Sequence, residues 1–173
     1  DDTVQLGKQL ADAGVRDVFL MTTAEFSQER YLDYGRAVRA VLPDDVRLVA
    51  NVGDFDEAYA LRLRDAGFTG VYHICRLGEG VDTGASVETR VRTLDAVKAA
   101  GLELYYCVEP IGPEHTDEQL ADEMLRPRQY PVGVMAVMKR TAVPGTPLAP
   151  RGEISAARLA QICAAATLAM RPK

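Results

Sequence analysis

Ala13-Gly14-Val15-Arg16-Asp17-Val18-Phe19-Leu20, Ala66-Gly67-Phe68-Thr69-Gly70-Val71-Tyr72-His73 and Ala100-Gly101-Leu102-Glu103-Leu104-Tyr105-Tyr106-Cys107 decide the fold. Each stretch reads as the end of a helix, a glycine just past it, and a buried strand. Glycine suits that position because a left-handed backbone there carries no Cβ penalty. Helix, glycine, strand is the seam of a βα repeat.

Working outward from the seams, the pattern predicts strands near 17–22, 46–52, 69–75, 102–109 and 132–139. Helices are expected near 3–13, 27–41, 54–66, 86–100, 116–125 and 154–169. Asp54 with Glu57, and Thr116 with Gln119, have the spacing of a capping box, in which side chains satisfy free N–H groups of a helix's first turn. Val87, Val91, Leu94 and Val97 recur at helical intervals, as do Leu159, Ile162, Cys163 and Ala166, which places Cys163 in the core. The strands are short apolar runs rather than polar/apolar alternations, Val46–Val52 and Val132–Met138 most clearly. Runs of that kind belong to parallel sheets covered on both faces. Two architectures fit: a doubly wound open sheet or a (β/α)₈ barrel. A full barrel takes about 250 residues, so a chain of 173 residues is expected to be α/β, a partial (β/α) TIM-type barrel of about five parallel strands with outer helices. One domain is expected over 1–173, starting in mid-domain on the helix that follows Asp1.

Composition excludes several partner classes. Twenty basic against 25 acidic residues leave a net charge of −5, and no run of Lys or Arg offers a footprint for nucleic acid. No apolar run approaches the ~20 residues needed to cross a bilayer, and no leader opens the chain, so a cytoplasmic protein free of membrane is expected. The three cysteines, Cys75, Cys107 and Cys163, lack CxxC spacing, which argues for reduced thiols and against a metal site built locally.

In parallel α/β architectures chemistry sits at the C-terminal ends of the strands. That rule selects Thr22, Thr23 and Glu25; Asn51 and Asp54; His73, Cys75, Arg76 and Glu79; Glu109, Glu114 and His115; and Lys139 and Arg140. In Cys75-Arg76-Leu77-Gly78-Glu79-Gly80 a guanidinium and a carboxylate share one strand end with glycines, an arrangement suited to a zwitterion such as an amino-acid group; a rim salt bridge is the plainer alternative. Glu109 ends an apolar strand and must meet an Arg, a ligand or water. His73 reads as a hydrogen-bonded wall residue, and two histidines are too few for a zinc triad. Cys107 is expected to be buried. No G-x-S-x-G, P-loop or G-x-G-x-x-G is present.

Taken in order, these features resemble the biotin-synthase-like branch of radical S-adenosylmethionine enzymes: Tyr72-His73-Ile74-Cys75-Arg76-Leu77-Gly78-Glu79-Gly80, Glu88-Thr89-Arg90-Val91 opening a helix, Cys107-Val108-Glu109-Pro110-Ile111-Gly112-Pro113-Glu114-His115-Thr116, and Gly145-Thr146-Pro147-Leu148 before the last helix. The resemblance implies reductive cleavage of S-adenosylmethionine by a [4Fe–4S] cluster and hydrogen abstraction from a small metabolite or cofactor precursor. It implies an electron donor such as flavodoxin or ferredoxin. By resemblance Arg90 holds the carboxylate of S-adenosylmethionine and Glu79 lies near its amino group, with Cys75 and Glu109 close to that cofactor. His73, Arg76 and Arg140 are assigned to the substrate, Arg140 because it lies on the alternation Val132, Val134, Ala136, Met138, Arg140. The family's CxxxCxxC cluster loop does not occur in 1–173, so the cluster ligands, the first strand and the last strands are expected outside it, the chain stopping at Met170-Arg171-Pro172-Lys173. Two other readings stand beside this one. One is a small-molecule-binding or self-associating homo-oligomeric remnant without radical chemistry, its open edges covered by association. The other is a metal-free barrel enzyme such as an aldolase, for which Lys139 is the available strand-end amine.

Overall fold

Among the described residues five strands alternate with six α-helices: α1 (Asp2–Asp12), β1 (Asp17–Met21), α2 (Gln28–Arg39), β2 (Arg47–Asn51), α3 (Glu57–Asp65), β3 (Gly70–Tyr72), α4 (Val87–Ala99), β4 (Glu103–Ile111), α5 (Asp117–Leu125), β5 (Val132–Lys139) and α6 (Ala156–Ala169). The computed structural model describes residues 2–170; Asp1 and 171–173 lie outside the described residues. All strands are parallel and their order is β1-β2-β3-β4-β5, each pairing with its neighbours in sequence. A doubly wound sheet reverses its order at a switch point, and this one does not. The winding is that of a (β/α) barrel, five units long.

The seam glycines adopt the conformation their position requires, with φ of 90° at Gly14, 93° at Gly67 and 70° at Gly101. Capping follows the sequence in one case and departs from it in another. Thr116 and Gln119 form the reciprocal capping box of α5. At α3 the cap is Asp56, which accepts from Tyr59 N–H, and the Asp54/Glu57 box does not form. Asp56 has the extended backbone an N-cap needs, while the Asp54 carboxylate is drawn to partners distant in sequence.

The chain divides into two compact units, Asp1–His73 with Glu88–Leu104, and Ile74–Val87 with Tyr105–Lys173. In the first unit Leu48, Val49 and Ala50 of β2 are fully buried, as both-face coverage predicts. Val18 of β1 pairs with Leu48, and Val49 with Gly70. The Tyr31 ring stacks on Phe68 at 5.4 Å and 8°, and its hydroxyl donates to Leu20 C=O while accepting from Asn51 N–H, which ties the ends of β1 and β2. Gly35 makes the stack possible, because a Cβ there would stand 2.3 Å from the Phe68 ring.

The second unit is built on Leu77, Val108, Ile111, Leu120, Met124, Ile162 and Ala166, with Met135 and Val137 packed against them. Two expectations are corrected here. Cys163 is exposed: the buried stripe of α6 is Ile162 and Ala166, and a residue next to Ile162 turns about 100° away from it. β5 is covered on one face only, leaving Val134 at 40% and Met138 at 53% exposure.

Candidate functional site

β3 ends at Tyr72, three residues sooner than its apolar run suggests, and side chains take over where the ladder stops. In the second unit, Cys75 N–H donates to the Tyr106 hydroxyl at 3.3 Å, Arg76 N–H to Glu79 Oε2 at 3.1 Å and Leu77 N–H to Glu109 C=O at 2.9 Å. Three consecutive amides are thus fixed by three different residues. This brings Cys75, Arg76, Glu79 and Glu109 together, four of the seven residues that the resemblance assigns to cofactor or substrate.

Within this group the side chains differ in how firmly they are held. The Glu79 carboxylate, 6% exposed, accepts from the Thr83 hydroxyl and from Arg76 N–H, so it builds the turn. Arg76 Nη2 lies 3.5 Å from Glu109 Oε1, with the Arg76 side chain 38% and the Glu109 side chain 12% exposed. That separation is longer than a charge-assisted hydrogen bond of about 2.7–2.9 Å. A partly exposed cation and a mostly buried anion therefore stand side by side at the ends of β3 and β4. Cys75 and Cys107 are buried, Cys107 as expected.

A layer of this unit that sequence reasoning missed lies at Tyr106. Its hydroxyl meets Cys75 C=O at 3.4 Å as well as the amide, and it contacts Glu123 Oε1. Arg126 Nε donates to Glu123 Oε2 at 2.9 Å. Burial pushes the Glu123 carboxyl above its ordinary range, against the lowering effects of Tyr106 and Arg126, and burial followed by the Glu123 charge pushes the Tyr106 phenol up. Glu123 and Arg126 carry the i, i+3 spacing of an ordinary helix pair, so nothing local distinguished them.

Arg140 is 6% exposed and belongs to a further ion-pair group of the second unit. It donates to both Glu114 oxygens, at 2.6 and 2.9 Å, and to Gly152 C=O, and Arg151 joins Glu114 to Asp82. The alternation that aimed Arg140 inward lapses because β5 stops at Lys139. Hydrogen bonding and charge from Arg140 lower the Glu114 carboxyl to about 2. Lys139 pairs with Glu153, and His115 Nδ1 accepts from Gly112 N–H.

In the first unit the structure gathers Asp54, His73, Arg90 and Thr93. Arg90 Nη1 donates to both Asp54 oxygens at 3.1 Å, Thr93 Oγ1 lies 3.4 Å from Oδ1, and His73 Nε2 stands 3.4 Å from Oδ1. His73, 4% exposed, packs against Phe55 as a wall residue. The neighbouring His73 ring, then the charge of Arg90, holds the Asp54 carboxyl below its ordinary value.

Among the described residues no group of three or more His, Cys, Asp or Glu could hold a metal ion, and two of the three thiols are buried. These residues do not fit a [4Fe–4S] cluster. The strand-end pair offers a cation, Arg76, beside an anion, Glu109, a polarity that suits the two ends of a zwitterion. No described helix is long and apolar enough to cross a membrane.

No protein-family model matches the chain. A biotin synthase of Methylobacterium sp. (strain 4-46) is 30% identical over 145 residues, covering 77% of this chain and 42% of the relative; the chain spans less than half the length of that curated protein. The crystal structure of 3-keto-L-gulonate-6-phosphate decarboxylase from Vibrio cholerae superposes with a TM-score of 0.61 at 13% identity, covering 99% of this chain and 70% of that one. It is a TIM-barrel enzyme, and the likeness supports the partial-barrel fold alone. Both matched proteins are enzymes.

Proposed function

We propose that this chain is the middle part of a (β/α)-barrel enzyme of the radical S-adenosylmethionine, biotin-synthase-like type, acting on a small metabolite or cofactor precursor. The observation that carries the reading is the Arg76–Glu109 pair at the ends of β3 and β4, set in a chain 30% identical to a biotin synthase over 145 residues. In this reading the Glu109 carboxylate accepts from the ammonium of S-adenosylmethionine and the Arg76 guanidinium donates to its carboxylate. Glu79 holds the turn between them. Arg90, to which the resemblance gives that carboxylate, is already engaged by both oxygens of Asp54 within its own unit. The cluster is supplied by thiolates outside residues 1–173.

The test is anaerobic preparation of the full-length protein, with iron and acid-labile sulfide analysis and product analysis after reduction in the presence of S-adenosylmethionine. About four irons per chain and release of 5′-deoxyadenosine support the reading. A protein that takes up neither iron nor sulfide and leaves S-adenosylmethionine intact overturns it. The second reading, a binding or self-associating module, draws on the exposed Phe19 and Met21 of β1 and Val134 and Met138 of β5. It predicts a concentration-dependent oligomer with no turnover.

A further inference from the structure

We infer that Tyr106, Glu123 and Arg126 form a positioning relay that fixes the Cys75 peptide groups, the link immediately before Arg76, and thereby helps set the Arg76 guanidinium against Glu109. The ligand-binding part of this inference rests on the function proposed above; the backbone part does not.

The need for such a relay comes from the early end of β3. β3 ends at Tyr72, four residues before Arg76, and Arg76 must be placed to within about 0.5 Å to act with Glu109, since positioned groups lose effect quickly when their support is loose. The Tyr106 hydroxyl meets both the N–H and the C=O of Cys75, the residue immediately before Arg76. Tyr106 lies on β4 three residues before Glu109, so one strand carries both the anchor and the anion. Glu123 of α5 and Arg126 at its end close the relay from the helix side.

The proton inventory fits. A neutral Glu123 carboxyl can donate to the Tyr106 oxygen, which also accepts from Cys75 N–H and sends its own proton to Cys75 C=O, leaving each group satisfied. An ionised Glu123 takes the Tyr106 proton instead, and Cys75 C=O loses its donor. The groups facing Glu123 are Tyr106 from β4, Arg126 from its own helix end and Glu79 from the loop after β3; Cys75 of that loop acts on Arg126 and Tyr106. Burial is the largest influence on Glu123 and favours the neutral form. The relay should therefore be tightest at low pH and loosen as pH rises through the raised Glu123 value.

The experiment is amide hydrogen exchange on the protein that carries this chain, wild type against Tyr106→Phe, Glu123→Gln and Glu123→Ala, with Leu48 and Val71 amides as controls. Loss of one buried hydrogen-bond partner predicts about tenfold faster exchange of the Cys75 amide in Tyr106→Phe, with the controls nearly unchanged. Glu123→Gln, which keeps a neutral donor, should retain protection and lose its pH dependence, whereas Glu123→Ala should lose protection. Unchanged exchange at Cys75, a uniform rise that spares no control, or identical behaviour of the two Glu123 variants would overturn the relay. Calorimetric titration separates the ligand part. Tyr106→Phe should weaken S-adenosylmethionine about tenfold and leave 5′-methylthioadenosine, which lacks the amino-acid end, unaffected. If wild type binds no S-adenosylmethionine the proposed function fails while the exchange result still decides the relay. If wild type binds it and Tyr106→Phe binds it equally well, the relay does not serve the ligand.

Discussion

Replacing Glu114 by Gln removes the anion that Arg140 grips with two nitrogens, and its consequence can be worked out from the structure. A carboxyl moved from 4.5 to about 2 corresponds to about 3 kcal/mol of preference for the charged, paired form at about 1.36 kcal/mol per tenfold. The Glu114 side chain is 31% exposed, so solvent screening reduces this to about 1–2 kcal/mol. Arg140 is buried and would keep Gly152 C=O but lose its counter-ion, which adds a desolvation cost of about 1 kcal/mol. Glu114→Gln should thus lose roughly 2–3 kcal/mol at pH 7. The sign with pH follows from the depressed carboxyl: its contribution is complete above about 4.5 and disappears as pH falls towards 2. Urea unfolding of wild type and Glu114→Gln between pH 7 and pH 3 gives the difference directly, and it should shrink on the acid side. Gly112→Ala supplies a second route to the same pair, since a Cβ there would stand 2.3 Å from Glu114 Oε2 and 2.4 Å from Arg140 Nη2; combined with Glu114→Gln its cost should fall short of additive. A stability difference that stays constant from pH 7 to pH 3 would refute the ion pair as its source.

Three further outcomes are expected. Gly35→Ala should lose about 1–3 kcal/mol by driving a methyl into the stacked Phe68 ring, and Phe68→Leu in the same chain should recover part of it in a thermal melt; an unchanged melting temperature would show that the stack can slide. Of the three thiols one should react quickly with a chromogenic disulfide under native conditions, Cys163, and Cys163→Ser should abolish that phase; a fast phase that survives the substitution would place the reactive thiol elsewhere. Asp54→Asn should cost about 1–3 kcal/mol at pH 7 because Arg90 and His73 lose their shared anion. As the Asp54 carboxyl is held below 3.8, the wild-type advantage should persist above that pH and vanish below it, and urea midpoints across that range would detect a failure.

Much of the fold is legible locally. The Ala-Gly seams name their own backbone conformation, and the Thr116/Gln119 box needs only four residues, so strands and helices fall close to where periodicity puts them. What periodicity cannot supply is the winding: strand order separates a barrel from a doubly wound sheet, and apolar runs look alike in both. Long-range partners account for the other departures. Asp54 has a cap's spacing, but Arg90, 36 residues on, and His73 compete for its carboxylate. Cys163 sits one position from a buried isoleucine, and a stripe of two buried residues is too narrow to include both. The strand-end residues were recognisable because the rule that function lies at the C-terminal ends of parallel strands selects few positions. Of these, Arg76 and Glu109 meet as a pair, while Arg140 is engaged by Glu114. The Tyr106–Glu123–Arg126 relay left no local signal, because an aromatic residue in an apolar strand and an i, i+3 ion pair are both ordinary.

Calorimetric titration of the full-length protein with S-adenosylmethionine, wild type against Glu109→Gln, tests the central claim most directly. Wild type should bind, Glu109→Gln should bind at least tenfold more weakly because a charge-assisted contact to the ammonium is lost, and both should bind 5′-methylthioadenosine equally. Absence of binding by wild type, or an affinity that Glu109→Gln leaves untouched, would contradict it.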